Sequence, residues 1–335
     1  MSKIKVSVLC TAYNHEKYIE KCLNSFINQK TNFKYEVLIN EDCSTDKTAD
    51  IIRAYAKKYP TLIKPIFQNS NQYSKGVSIT NDILFPLARG RYIAICEGDD
   101  YWCDENKLQV QFDYMESHKE CSMCTHNTII HDLSGKKKDT YFNKKKHDGF
   151  LTAEEIFLGW TIHTSSYFIK KEYFKLPVKI AKYWFGDYVR LTYSYTKGEI
   201  GYISTAMSVY NNNNSNGATK KYLESQLKKK INMTLARAEY LKILKENFGC
   251  DSPLIDKRIR LIEYDVFRIE RGMDIRASNS IKESIKFARN ITRHPCFKEY
   301  MLSIGLNKKI KTLIKYRGYY IYPLWIKLWR ENKFN

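Results

Sequence analysis

Short apolar runs and helical stripes alternate along the first hundred residues. Ile4 to Cys10 alternates and then runs apolar, the pattern of a buried strand. A polar turn, Thr11 to His15, follows it. From Glu16 the apolar positions Tyr18, Ile19, Cys22, Leu23, Phe26 and Ile27 recur at helical spacing. Tyr35 to Ile39 predicts a second strand that ends in the polar segment Asn40 to Asp46. There Ser44 or Thr45 is placed to cap a helix carrying Ile51, Ile52 and Tyr55. Leu62 to Phe67 predicts a third strand, Ser74 to Leu87 is expected to contain a third helix, and Tyr92 to Cys96 predicts a fully apolar fourth strand. Strands alternating with helices of these lengths predict βαβ units and a mostly parallel sheet, hence an α/β fold. Lys107 to Met115 then predicts an amphipathic helix, and Cys121 to Ile130 a further strand.

The pattern changes after residue 210. Asn211 to Gly217 is a polar, low-complexity turn with nothing to pack, and beyond it the chain reads as helical. Leu223, Leu227, Ile231, Leu235, Ala238 and Leu241 form one stripe, and Ile259, Ile262, Val266 and Ile269 another, both read as faces packing helix on helix. The expected division is therefore 1–215 and 216–335, the second part helical and basic. Its last stretch, 307–335, holds eight basic residues against one acidic, interleaved with tyrosines and tryptophans. That mixture suits the surface of an anionic membrane; a helix with a basic solvent face is the plainer alternative.

Composition narrows the partners. A formal net charge of +20 over 335 residues favours a polyanion: nucleic acid, an anionic membrane surface or a phosphorylated substrate. No run of 18 apolar residues occurs, and the N-terminus leads into a strand without a signal-peptide pattern, so a cytoplasmic protein is expected, with peripheral contact at the inner face of the plasma membrane as an option. The nine cysteines lack a framework spacing and read as reduced, largely buried residues. Cys121, Cys124, His126 and His131 invite a zinc reading, but their spacing does not suit one, and alternate strand residues point to opposite faces. The lysine clusters 136–138 and 144–146 flank what reads as a solvated, mobile loop.

The densest chemistry follows the fourth strand. Glu97, Asp99 and Asp100 stand within four residues, and Gly98 lets the backbone turn between them. Carboxylates this close repel one another unless a cation or donors compensate them. A divalent ion, Mg²⁺ or Mn²⁺, carrying a diphosphate would do so; an acidic turn capping the next helix is the alternative. In open α/β sheets ligands lie at the carboxyl ends of strands, where this group is expected together with the 11–15 and 40–46 loops. Neither G-x-G-x-x-G nor G-x-x-x-x-G-K-[ST] is present, so a dinucleotide fold and a P-loop are unsupported.

Three segments in order, Val6-Ser-Val-Leu-Cys-Thr-Ala-Tyr-Asn14, Glu41-Asp-Cys-Ser-Thr-Asp-Lys-Thr48 and Glu97-Gly-Asp-Asp-Tyr-Trp102, resemble the signatures of family 2 glycosyltransferases. The resemblance implies a GT-A type fold, a nucleotide-diphosphate-sugar donor, a divalent cation and inversion at the anomeric carbon. It places Thr11, Ala12 and Tyr13 along the base and ribose pocket, Asp42 on the base with Glu41 beside it, and Asp99 and Asp100 on ribose and the metal-diphosphate. Glu97 stands where many members have an Asp, with ribose as its other candidate contact. Gly76 and Asn81 correspond loosely to further donor positions. Asp187, in Trp184-Phe-Gly-Asp-Tyr188, matches the acidic base; the alternative is the N-cap of a helix starting at Tyr188. Trp102, His163, Ser165, Tyr210 and Asn211 are candidate acceptor or diphosphate contacts. The implied acceptor is a hydroxyl of a cell-surface polysaccharide or a lipid-linked glycan.

Two other classes compete. A nucleotidyltransferase would carry a glycine-rich basic loop after the first strand, which Thr11 to His15 lacks. A non-catalytic basic protein binding membrane or nucleic acid leaves the acidic group unexplained, because carboxylates repel phosphate unless a cation intervenes. Nucleic acid is therefore not the expected partner.

Overall fold

The computed structural model describes residues 3–159, 161–183, 186–212, 227–250, 253–277 and 281–303. The chain divides into two compact units, 1–224 and 225–335. The first opens with β1 (Val6–Ala12), α1 (Ile19–Ile27), β2 (Tyr35–Glu41), α2 (Thr48–Lys58), β3 (Ile63–Phe67) and β4 (Tyr92–Ile95). β1 lies between β2 and β4 and β3 flanks β2, all parallel. Val6, Val8 and Cys10 of β1 bury against Ile19, Cys22, Leu23 and Phe26 of α1, so alternation on the strand meets helical spacing on the helix in one core.

Beyond β4 the order departs from simple βαβ repetition. β5 (Tyr101–Trp102), α3 (Lys107–Ser117), β6 (Cys121–Asp132), β7 (Thr140–Tyr141), β8 (Gly149–Phe150), α4 (Ala153–Phe157), β9 (Phe168–Lys170), α5 (Lys171–Phe174), α6 (Val178–Ala181), α7 (Gly186–Tyr195) and β10 (Glu199–Asn212) follow. The strand order is β3-β2-β1-β4-β9-β6-β10-β5, with β7 on β6 and β8 on β10. The short β9 enters antiparallel between β4 and β6, whereas the long β6–β10 ladder is parallel. The sheet is thus mostly parallel by length, with short antiparallel insertions.

Two local expectations are corrected. Residues 74–87 do contain a helix, but a short one of π type flanked by 3-10 turns, not an α-helix. A 3-10 turn ends at Gly76, whose φ of 81° is left-handed; a π-helix spans Ile79–Leu84, and a second 3-10 turn contains Pro86. Gly76 stops the first turn and Pro86 lacks the N–H that an α-helix would need. Neither Ser44 nor Thr45 caps α2; Asp46 Oδ1 instead accepts the Thr48 N–H at 2.9 Å. This frees Ser44 to join the loop beside it.

In the second unit the described helices are α8 (Leu227–Phe248), α9 (Pro253–Ala277), α10 (Ile281–Arg293) and α11 (Phe297–Ser303). Ile231, Ala238 and Leu241 are buried, as are Ile259, Ile262 and Val266, while Leu235 is exposed. Leu261, Tyr264, Ala288, Ile291, Phe297 and Tyr300 form a core of their own. Among the described residues no helix is long and apolar enough to cross a membrane. Trp160, Trp184, Leu223, most of the 211–217 turn and the 307–335 segment lie outside the described residues.

Candidate active site

Parallel β1, β2 and β4 deliver the 11–15, 40–46 and 97–100 loops to one rim of the sheet. The first two are joined side by side. Asn14 and Cys43 take left-handed φ values of 56° and 62°, which turn both loops sharply. The Asn14 N–H donates to Ser44 Oγ at 3.0 Å, and Asn14 Oδ1 accepts the Thr45 N–H at 2.8 Å. Asp42 donates its N–H to Ala12 O at 2.9 Å. Ala12 is buried, and Thr11 and Tyr13 are half-buried on the same rim.

The carboxylates of this rim are partly committed. Glu41 Oε1 accepts the Ser44 N–H at 2.7 Å. Asp42 is buried, and its two oxygens accept the Gln72 and Tyr73 N–H groups at 2.9 and 3.0 Å, so it also holds the 70–76 segment in place. Each carboxylate oxygen has a second lone pair for a ligand. Gly76 closes that segment with open space around it. Asn81 is buried and accepts the Leu176 N–H at 3.3 Å. Among the described residues neither is hydrogen-bonded to the acidic loop.

The acidic loop is folded tightly. Gly98 N–H donates to Thr11 O at 2.9 Å and Asp100 N–H to Glu97 O at 3.0 Å. One carboxylate oxygen from each of Glu97, Asp99 and Asp100 lies within 4.8 Å of the others. Burial, then the Asp99 and Glu97 charges, push the Asp100 carboxyl well above its usual range. Glu97 is pushed up to about 8 by burial, then by Asp99 and Asp187. Glu97 keeps an exposed flank, so water screens part of this repulsion; Asp100, only 2% exposed, has no such relief.

Three neighbours brace the loop. Asn211 N–H donates to Asp100 Oδ1 at 2.9 Å, and its Nδ2 donates to Asp99 O at 2.6 Å. His163, buried, holds Nε2 at 3.7 Å from Asp100 Oδ2. Its Nδ1 accepts the Ser165 N–H at 3.3 Å and lies 2.8 Å from Ser165 Oγ, which in turn meets Ser208 Oγ at 2.8 Å. An accepting Nδ1 assigns the imidazole proton to Nε2, facing Asp100, and burial lowers this histidine's pKa to about 3, keeping it neutral. Tyr210 stacks on the ring at 4.4 Å. On the other side His15 Nε2 is 3.8 Å from Asp99 Oδ2, and its buried Nδ1 has no hydrogen-bond partner among the described residues. His15 lies in the loop that follows β1, as its sequence predicts, and its place on that rim is the signal of its proximity to Asp99.

Asp187 belongs to the first turn of α7, which starts at Gly186 rather than Tyr188. Its Oδ1 accepts the Tyr188 N–H at 2.8 Å, and its carbonyl accepts the Tyr167 hydroxyl at 3.0 Å. Its charge is the smallest of the three causes that raise the Glu97 carboxyl. Trp102 is placed elsewhere than expected. It is buried beneath the loop, its indole donating to Ser165 O at 3.0 Å, with Phe26 edge-on at 4.8 Å and the buried Lys107 ammonium 4.0 Å from its ring centre. There it supports the floor of the site and has no face toward an acceptor.

The donor set fits a hard divalent cation: carboxylate oxygens only, converging, and at a cost in mutual repulsion that such an ion would remove. Asp99 and Asp100, with Glu97 beside them, are the residues that would hold it.

Comparison with known proteins agrees with this geometry. The family model described as glycosyl transferase family 2 matches residues 7–186. An uncharacterised protein of Mycobacterium tuberculosis is 34% identical over 207 residues, 61% of this chain and 58% of that protein. A putative teichuronic acid biosynthesis glycosyltransferase of Bacillus subtilis is 34% identical over 110 residues, 33% and 41% of the two chains. The chain therefore spans less than two thirds of the curated relatives it matches. Residues 1–349 of Staphylococcus aureus TarS in complex with UDP share the fold, with a TM-score of 0.58 at 17% identity, covering 98% of this chain and 92% of that one. With its acidic loop and α/β sheet in the arrangement described, the chain belongs to glycosyl transferase family 2.

Proposed function

We propose that the protein is a metal-dependent inverting glycosyltransferase that moves one sugar from a nucleotide diphosphate to a hydroxyl of a surface polysaccharide or lipid-linked glycan. The observation that carries this is the convergence of three carboxylates within 4.8 Å on the rim. Thr11, Ala12, Tyr13, Glu41 and Asp42 line the nucleoside end of the donor. A bound Mn²⁺ or Mg²⁺ would supply positive charge against the departing diphosphate. Asn211, His163 and His15 hold the carboxylates of Asp99 and Asp100 in the orientation that binding needs. Asp187 takes the proton of the acceptor hydroxyl as its oxygen attacks the anomeric carbon. The bond from that carbon to the diphosphate oxygen breaks on the opposite face, and the configuration inverts.

Relatives support the acceptor class through their printed activities. An Escherichia coli protein 35% identical over 114 residues, 34% of this chain and 42% of that one, is a glucosyltransferase acting on GlcNAc-diphosphoundecaprenol. A basic segment at 307–335 would bring this chain to an anionic membrane at the cytoplasmic face. The test is a panel of nucleotide-diphosphate sugars incubated with Mn²⁺, followed by NMR of the freshly released sugar. Transfer to water that inverts the anomeric centre of one donor supports the proposal. Binding of none of the donors, or release with retained configuration, contradicts it.

A further inference from the structure

The loop 133–148 carries six lysines, Lys136, Lys137, Lys138, Lys144, Lys145 and Lys146, against two acidic residues, Asp139 and Asp148. Only Lys145 has an ion pair, with Glu155 at 3.2 Å; the other five are exposed and make none among the described residues. Such a block of like charge repels itself when no polyanion is near. The loop is solvated along its lysines, as its sequence suggests, and is tied into the fold at both ends. Buried Asp132 accepts the Ser134 and Lys137 N–H groups at 3.1 and 3.0 Å. At the far end Asn127 and Asn143 bond reciprocally, Asn127 Nδ2 to Asn143 O at 3.0 Å and Asn143 N–H to Asn127 Oδ1 at 3.0 Å. Between the clusters Phe142 inserts its ring against the site, 5.4 Å from the His163 ring and 6.3 Å from Tyr210. His163 in turn faces Asp100. The two lysine clusters therefore flank the point at which the loop touches the wall of the catalytic rim.

We propose that this loop is the acceptor-binding edge of the enzyme and that it takes a chain bearing repeated phosphodiester groups. The inference rests on the transferase reading. Lysines on both sides of Phe142 can engage phosphates on either side of the unit being glycosylated, which brings that unit to the wall formed by His163 and Tyr210 beside Asp100. A membrane would need a continuous apolar face, whereas the large apolar side chains exposed in this loop are the separated Leu133 and Tyr141.

The experiment compares the full chain with K136Q/K138Q/K144Q/K146Q, four residues outside the donor site. Binding is measured to short poly(ribitol phosphate), to an uncharged glucan and to phosphatidylglycerol vesicles, at low and high salt, with donor hydrolysis read in parallel. Loss of four exposed charge pairs is expected to weaken polymer binding by about tenfold and flatten its salt dependence. Glucan binding and donor hydrolysis should be unchanged. Polymer binding equal in the two proteins, or no polymer binding by the wild type, overturns the proposal. So does a variant that loses vesicle binding while keeping the polymer, which would make the loop a membrane contact. Donor hydrolysis that is absent from both proteins would instead count against the transferase reading, independently of the loop.

Discussion

Adding Mn²⁺ at pH 8 should raise the melting temperature far more than adding it at pH 5. The reason lies in the three carboxylates within 4.8 Å. Two full charges at that separation repel by about 3.5 kcal/mol at an effective dielectric of about 20, and the exposed flank of Glu97 reduces its share. Folded-state pKa values of Glu97 and Asp100 are raised, so the folded protein holds more protons than the unfolded chain above the ordinary carboxylate range. The resulting stability is complete below the unfolded values and is lost as pH rises through the folded ones, for Glu97 between 4.5 and about 8. Cation and proton compete for the same oxygens, so binding strengthens over that window. At one hundred times its Kd an ion contributes about 2.7 kcal/mol, equivalent to about 5–10 °C for a unit of this size. D100N should be more stable than wild type at pH 8 without cation, and should lose most of the shift. Scanning calorimetry at both pH values decides it. An equal shift at pH 5 and 8, or a full shift in D100N, would refute the reasoning.

Three further outcomes follow from named contacts. G98A would bring a Cβ to 2.9 Å from His15 Nδ1 and 3.0 Å from Ile19 Cδ1. Cation affinity measured by calorimetry should fall as His15 is displaced from Asp99, with secondary structure by circular dichroism retained. G90A places a Cβ 2.4 Å from Ser7 N and 2.6 Å from Val6 C, backbone atoms of the central β1 that cannot yield. It should cost about 3 kcal/mol or more in urea unfolding, and a cost under about 1 kcal/mol would contradict the packing. Glu36, 1% exposed, accepts from Ser7 Oγ at 2.7 Å and from Arg89 N–H and Nε, both at 2.8 Å. Burial opposes its charge, but these bonds prevail and lower its pKa, so its stabilisation is lost as pH falls through that depressed value. E36Q should cost about 2–3 kcal/mol at neutral pH and flatten the acid limb of the stability profile.

The strands and the three rim loops were legible because period-two and fully apolar runs are local signals. Val6 to Ala12 and Tyr92 to Ile95 show them, each followed by turn residues. The acidic group was legible for the same reason, its members lying within four residues. What the sequence hid depends on distant partners. β9 is three residues long and owes its place to β4 and β6, not to its own pattern. Trp102 reads as a candidate acceptor or diphosphate contact beside an acidic turn, yet Phe26, Lys107 and Ser165 enclose it, and these come from three other segments. His15 and Asn211 sit 84 and 111 residues from the carboxylates they brace, Asp99 and Asp100, so only folding brings them to the site. Residues 74–87 are a different case. Gly76 and Pro86 are helix breakers visible in the sequence itself.

The most direct test of the central claim compares D187N with wild type for nucleoside diphosphate release, with donor binding measured by calorimetry in the same samples. The account predicts that the variant binds donor within about twofold of wild type while release falls by a factor of about 10² or more, as expected for loss of a general base. Release at the wild-type rate by a variant that binds donor normally would contradict it.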